Sequence, residues 1–182
     1  MVQITRLLFA ASLVAVGFAT ALKRTAVQAE ADITSLTAAV TTMRNNIEGF
    51  PASGLNGALA IHTASGGVAN ALVTCTTAVK GTGALAEGDA KTILTAVQAL
   101  LLIVQDALKQ LVEKKSNFAS LPGVGSSVLI EIHGDLVIIN TDTVALNAAL
   151  GVAASATPEK AGFDAVTAAS NAALNSALEA FP

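Results

Sequence analysis

The sequence predicts an all-α fold, a single-domain bundle of about five amphipathic helices with no disulfides. Three observations carry that expectation. Apolar residues recur three and four apart along most of the chain, Gly, Pro and Ser clusters punctuate the recurrences, and Cys75 is the one cysteine in 182 residues. Without an internal disulfide framework, apolar burial has to hold the fold.

The first segment stands apart from the bundle. Arg6 precedes an apolar run from Leu7 to Phe18, and Ala19-Thr20-Ala21 has the small-x-small pattern cut by signal peptidase. Residues 1–21 are expected to be a signal peptide cleaved after Ala21, with a second trimming site at Lys23-Arg24 left open. Residues 22–182 form the expected mature domain, secreted and extracellular.

The first helix is written in Ile33, Leu36, Val40, Met43, Ile47 and Phe50, which share one face and leave Glu30, Asp32, Arg44 and Glu48 elsewhere. Gly49 and Pro51 end it. A second helix, from about Leu55 to Lys80, has a weaker stripe of Leu59, Leu72, Val73 and Val79. Gly66-Gly67 in its middle lowers helix propensity and predicts a kink or a split. The third, from about Asp89 to Lys115, turns Ile93, Val97, Leu100, Leu101, Val104, Leu108 and Leu111 inward and is expected at the centre of the bundle.

Residues 128–139 read two ways. Their β-branched arms flank Gly134-Asp135 as in a hairpin, yet Leu129, Ile132, Leu136, Ile139, Thr143, Leu146 and Leu150 keep a 3-4 spacing through the supposed turn. Ile130, Val137 and Val144 would widen that face, and a lone hairpin among helices would leave unpaired edges, so a helix is expected. The last helix is announced by Thr157 as N-cap, Pro158 in the first turn and Glu159. Its core face is Phe163, Val166, Leu174, Leu178 and Phe181.

Composition excludes several functions. The leader contains one of the ten basic residues and none of the thirteen acidic ones, so the mature chain is acidic and lacks a basic cluster for nucleic acid. Trp and Tyr are absent, which disfavours sugar stacking. No segment after the leader has ~18 uninterrupted apolar residues, so no transmembrane segment is expected. His62 and His133 fall in different helices with no nucleophile, base and orienting group at recognisable spacing, so no catalytic residue and no enzyme is expected. No metal site is expected either, since no second histidine stands at ligand spacing and Cys75 has no CxxC partner. Gly81-Thr-Gly-Ala-Leu-Ala86, with Asp106 twenty residues on, matches a relaxed dinucleotide pattern but has no strand before it, so no cofactor is expected.

Hydrophobic chemistry remains. Broad apolar faces either close on one another or enclose a dry cavity for an apolar ligand. Phe50 and Phe118 lie in connections, where they either contact a foreign surface or staple helix ends.

The layout resembles the fungal hydrophobic surface-binding protein A family, which includes the cell wall galactomannoproteins. The resemblance spans the mature chain. It rests on Asp32-Ile33-x-x-Leu36 with its stripe, Leu111-x-x-Lys114-Lys115-x-x-Phe118, Val128-Leu129 before a helix carrying Thr141-Asp142-Thr143, and the Ala-rich last helix ending in Phe181. It implies a secreted all-α bundle, possible cell-wall association, and two activities. Some members adsorb to hydrophobic surfaces and recruit a secreted esterase that degrades polyesters; others hold a fatty acid between the helices.

The leading expectation is a secreted, non-enzymatic protein holding a long-chain fatty acid or other amphipathic lipid, its carboxylate met by neutral Ser, Thr or Gln groups. The residues expected to line the cavity are Leu36, Val40 and Met43 of the first stripe, Val97, Leu101, Val104 and Leu108 of the third, and Ile132, Leu136 and Ile139 of the fourth. The alternative is an adaptor or structural protein with a filled core that adsorbs to hydrophobic surfaces, with Phe50 and Phe118 as its contact candidates.

Overall fold

The computed structural model describes residues 25–182, so the expected signal peptide and the Lys23-Arg24 pair lie outside the described residues. Six helices follow in order: α1 (Ala26–Gly49), α2 (Gly54–Thr82), α3 (Glu87–Glu113), α4 (Lys115–Ala119), α5 (Gly125–Ala153) and α6 (Lys160–Ala180). No strand occurs among the described residues, so 128–139 is helical and the hairpin reading is excluded.

The predicted stripe of α1 is the buried one, from Ile33 through Ile47 to Phe50. The N-terminus of α1 is capped by Thr25, whose Oγ1 accepts from the Gln28 amide at 3.3 Å. In α2 the expectation was partly wrong. The helix runs unbroken through Gly66-Gly67, and Leu59 and Val73 face outward. Its buried face is Ala58, Ile61, Ser65, Val68, Leu72, Cys75 and Val79, where small and polar residues hide the period. In α5, Ile132, Leu136, Ile139, Leu146 and Leu150 are buried, but Ile130, Val137 and Val144 are exposed and do not widen the core face.

The entry to α6 also differs from the expectation. Thr157 does not cap it: its hydroxyl donates back to the Ala154 carbonyl at 2.9 Å, and the helix begins only at Lys160. Between α4 and α5 the chain turns tightly at Gly125, where an added Cβ would stand 2.2 Å from the Ala119 carbonyl oxygen.

The long helices have 21 to 29 residues, about 32 to 44 Å at 1.5 Å per residue. Their short connections cannot span that length, so successive long helices alternate in direction. Spatial neighbours are not simply sequence neighbours. The helices stand in the ring order α1, α2, α5, α6, α3 and back to α1, each packing chiefly on two others. α3 is therefore one wall of a ring rather than a central helix. To reach it from α2 the chain crosses the end of the bundle, and there the Leu85 amide donates to the Ala153 carbonyl at 2.8 Å.

The opposite end is closed by aromatic packing and lysines. Phe50 and Phe118 are buried and stack with centroids 4.1 Å apart and planes 7° from parallel. They are staples of the bundle end, and the surface-contact expectation for them is overturned: both rings are covered by the helix ends they join. Lys114 donates to the carbonyls of Glu48 (2.8 Å) and Phe50, and Lys115 to that of Ala180 (2.5 Å). Each satisfies carbonyls left over at a helix C-terminus. Lys115 also sits 5.8 Å from the Phe181 ring centroid, and His133 Nδ1 donates to the Phe181 carbonyl at 2.5 Å.

By length and composition α2, α3 and α5 are each apolar enough to cross a membrane. The expectation of no such segment counted uninterrupted apolar runs, whereas these helices reach the threshold on average hydropathy. In the fold each is a wall of the ring.

Candidate functional site

A ring of five helices has a middle that no single pair of helices fills. That middle is an apolar cavity to which all five long helices contribute. Leu36, Val40 and Met43 of α1, Val97, Leu101, Val104 and Leu108 of α3, and Ile139 of α5 line it, eight of the ten residues singled out from the stripes. Ile132 and Leu136 lie seven and three residues before Ile139 on α5 and line a smaller void instead, which shares Met43 and Ile139 with the main cavity. Leu101 and Val104 are only half-buried, so the α3 wall is less covered than the α1 wall.

The periodicity missed the part played by α2 and α6, which add Val68, Leu72, Val166 and Leu174. It also missed the polar groups of the cavity, Thr143 and Asn147 on α5 and Ser170 on α6. Asn147 and Ser170 are buried, and Asn147 Nδ2 donates to Ser170 Oγ at 2.9 Å while Ser170 donates to the Thr167 carbonyl at 3.1 Å. Asn147 keeps a second amide hydrogen and Thr143 a hydroxyl. The signal was present in the sequence: Ser170 stands between Val166 and Leu174 at intervals of four, a polar residue on an inward stripe.

The free volume of the cavity is about 60 Å³, and that of the smaller void about 20 Å³. Pockets that enclose drug-sized ligands are typically ~300–1,000 Å³. The helices as they stand hold a seam of voids, and a long ligand fits only if they part.

A second polar group lies on the α2–α5 seam beside the smaller void. Asp135 Oδ2 accepts from His62 Nδ1 at 3.0 Å and from Ser65 Oγ at 2.6 Å. His62 is about half exposed and the Asp135 side chain 16% exposed, so the imidazole faces water and the carboxylate faces inward. The hydrogen bond that His62 donates to the Asp135 carboxylate raises the His62 pKa above its ordinary value. A Ser, a His and an Asp meet here, but both partners bind the same carboxylate oxygen, so this is not the relay in which His takes the Ser proton.

Other candidates from the sequence have structural places. Asp106 binds Arg44 Nε of α1 at 2.7 Å and accepts from Gln110 at 2.8 Å; the Arg44 hydrogen bond holds its carboxyl below the usual range. The Gly81–Ala86 stretch is the end of α2 and the crossing loop. Cys75 is fully buried and desolvation pushes its thiol up to about 12, so it is neither a thiolate nor placed to pair between molecules. No cluster of His, Cys, Asp and Glu among the described residues can hold a metal.

A second apolar surface lies outside the ring. Ile130, Val137 and Val144, seven residues apart, share the outer face of α5 and are 71%, 42% and 48% exposed.

Fold and cavity together define a class: a disulfide-free ring of five long helices around an apolar lumen that carries one small polar cluster. Within that class the chain belongs to the hydrophobic surface binding protein A family, which it matches over residues 26–151. It is also similar to the solved structure of AFMP4P in complex with palmitic acid, at 25% identity and a TM-score of 0.76, over 86% of this chain and 99% of that one. Two ligand-binding domains of the Penicillium marneffei MP1 protein share the fold. Domain 1, complexed with arachidonic acids, is 18% identical, with a TM-score of 0.71 over 83% of this chain and 94% of that one. Domain 2, complexed with multiple arachidonic acids, is 16% identical, with a TM-score of 0.70 over 86% and 94%. No curated protein sequence matches the chain.

Proposed function

We propose that this protein is a secreted, non-enzymatic carrier that encloses a long-chain fatty acid in the lumen of its helical ring. The observation that carries the reading is the lumen itself, apolar on all five walls with its polar groups gathered at Thr143, Asn147 and Ser170. An acyl chain buried there gains about 0.8 kcal/mol per methylene. The carboxylate accepts from the free Asn147 amide hydrogen and the Thr143 hydroxyl, neutral donors that leave no unpaired cation in the empty protein. Likeness to a palmitic acid complex supports this ligand class.

Because the resting voids are small, binding has to push the walls apart, and a bundle without cross-links permits this. Secretion rests on the leader of residues 1–21, and the position of Thr25 as the α1 cap, directly after Lys23-Arg24, fits trimming at that pair. N-terminal sequencing of the secreted protein should read Leu22 or Thr25 as its first residue. Native mass spectrometry tests the ligand: a bound species of fatty-acid mass, lost on delipidation and restored by added palmitate, is expected. Protein that stays at its apo mass in excess palmitate would refute the carrier reading.

The exposed stripe on α5 favours a second activity, adsorption to hydrophobic surfaces through the outside of the ring, with recruitment of a secreted esterase or attachment to the cell wall as its biological use. Replacing Ile130, Val137 and Val144 together by serine should reduce adsorption to polystyrene severalfold and leave fatty-acid binding unchanged. Equal adsorption by the triple variant would remove this reading.

A further inference from the structure

The lumen and the smaller void that adjoins it at Met43 and Ile139 have polar chemistry at their two outer ends. At one end are the neutral donors Thr143, Asn147 and Ser170; past Met43 and Ile139 the small void ends on the Ser65 hydroxyl and the Asp135 carboxylate. An apolar chain terminus pressed against that carboxylate strips water from it and returns no hydrogen bond. Asp135 Oδ2 already accepts two hydrogen bonds, from His62 and Ser65, whereas Oδ1 receives none from the described residues. The far end of the lumen therefore offers an acceptor that asks for a donor.

The spacing fits a single extended molecule. Asp135 and Asn147 are twelve residues apart on α5, which is about 18 Å of helix rise. A saturated chain advances ~1.25 Å per carbon–carbon bond, from the same bond lengths and angles that set backbone dimensions. About fourteen bonds thus separate a group held by Asn147 from one held by Asp135.

From this we propose that the lumen selects long-chain fatty acids carrying a hydroxyl at the end remote from the carboxyl group, of about sixteen carbons. The carboxylate is held by Thr143 and Asn147, and the terminal hydroxyl donates to Asp135 Oδ1. Ser65 and His62 act as positioning residues that fix the Asp135 carboxylate through its other oxygen. The Asp135 side chain is 16% exposed, so a ligand end seated against it displaces the water it still meets, and a site that takes up a ligand hydroxyl in place of that water discriminates against the analogue lacking the donor more strongly than an apolar pocket discriminates a methylene. The inference rests on the carrier reading, and it adds the class of acid.

The test is titration calorimetry of the purified, delipidated protein with hexadecanoic acid, 16-hydroxyhexadecanoic acid and 9-hydroxyhexadecanoic acid. The expected result is at least tenfold tighter binding of the 16-hydroxy acid than of the unsubstituted acid, and no gain for the mid-chain isomer. D135L is expected to erase the preference, tightening the plain acid while weakening the hydroxy acid. S65A, which leaves the carboxylate in place, should reduce the preference only in part, and it serves as the reporter if D135L does not fold. Equal affinity of the wild-type protein for the plain and 16-hydroxy acids overturns this inference and leaves the carrier reading standing. Failure to bind any of the three acids overturns both.

Discussion

His62 makes the α2–α5 contact a titrating one. Its pKa is raised above the ordinary 6.5 by the hydrogen bond it donates to Asp135, so the folded protein holds the proton more tightly than the unfolded chain. The stabilisation is complete below the ordinary value and is lost as pH rises through the folded one. The melting temperature of the wild-type protein should therefore fall as pH rises above the ordinary histidine value, and in H62Q that component should vanish; an unchanged slope in H62Q would show that another group is responsible. Asp106 works in the opposite sense. Arg44 lowers its pKa, so its contribution is present above the ordinary carboxyl range and disappears as pH falls through the lowered value. Core residues behave more simply: Leu136 is 2% exposed, and L136A should cost about 2–5 kcal/mol in denaturant unfolding. At this scale the inward apolar residues of α1, α3 and α5 were legible because a helix face repeats. Asn147, Ser170, Ser65 and Asp135 were not, because each is a polar residue whose inward orientation depends on a partner from another helix.

Elements were read from periodicity, and where the period is clean it prevailed over local propensity. Val128 to Ile139 has the β-branched content of two strands, but Ile132, Leu136 and Ile139 bury together only on a helix. The period failed where a helix is apolar on every side. In α5 the outward Ile130, Val137 and Val144 recur as regularly as the inward set, and only the position of α2 and α6 distinguishes them. In α2 the failure was the reverse, since Gly66-Gly67 suggested a break that the fold does not contain. Nothing lies within 4 Å of a Cβ built at either glycine. G66A and G67A should thus each stabilise the protein by about 0.5–1 kcal/mol, read as a higher denaturation midpoint with an unchanged m-value. Loss of stability in either would mean that the helix bends there in solution.

At the scale of the molecule, the number of helices was readable and their order around the ring was not. Connections as short as 50–53 and 83–86 make successive helices antiparallel, but they permit either packing of neighbours or a step across the bundle end, and the chain uses both. The lumen is a property of that order: it exists because α3, expected at the centre, is displaced to a wall. Filling it is the sharpest test of the whole architecture. L101W introduces a large side chain from the half-covered α3 wall, and should weaken fatty-acid binding at least tenfold while preserving the helical circular-dichroism spectrum. In the wild-type protein, fatty acid at a hundred times its Kd should add about 2.7 kcal/mol of stability, seen as a higher melting temperature that is absent in L101W. The same shift in both proteins would place the ligand outside the lumen.

The ring closes with α6, the last of its five helices in chain order. While α1, α2, α3 and α5 have emerged and α6 has not, Val97, Leu101 and Ile139 line an open trough between α3 and α5, which have no other helix between them. On the carrier reading, an amphipath met at that stage would settle into the trough, and the docking of α6, whose end is held by the hydrogen bond from His133 to the Phe181 carbonyl, would seal it in. Loading would then belong to folding rather than follow it, and the order in which the ring closes would decide what the lumen holds.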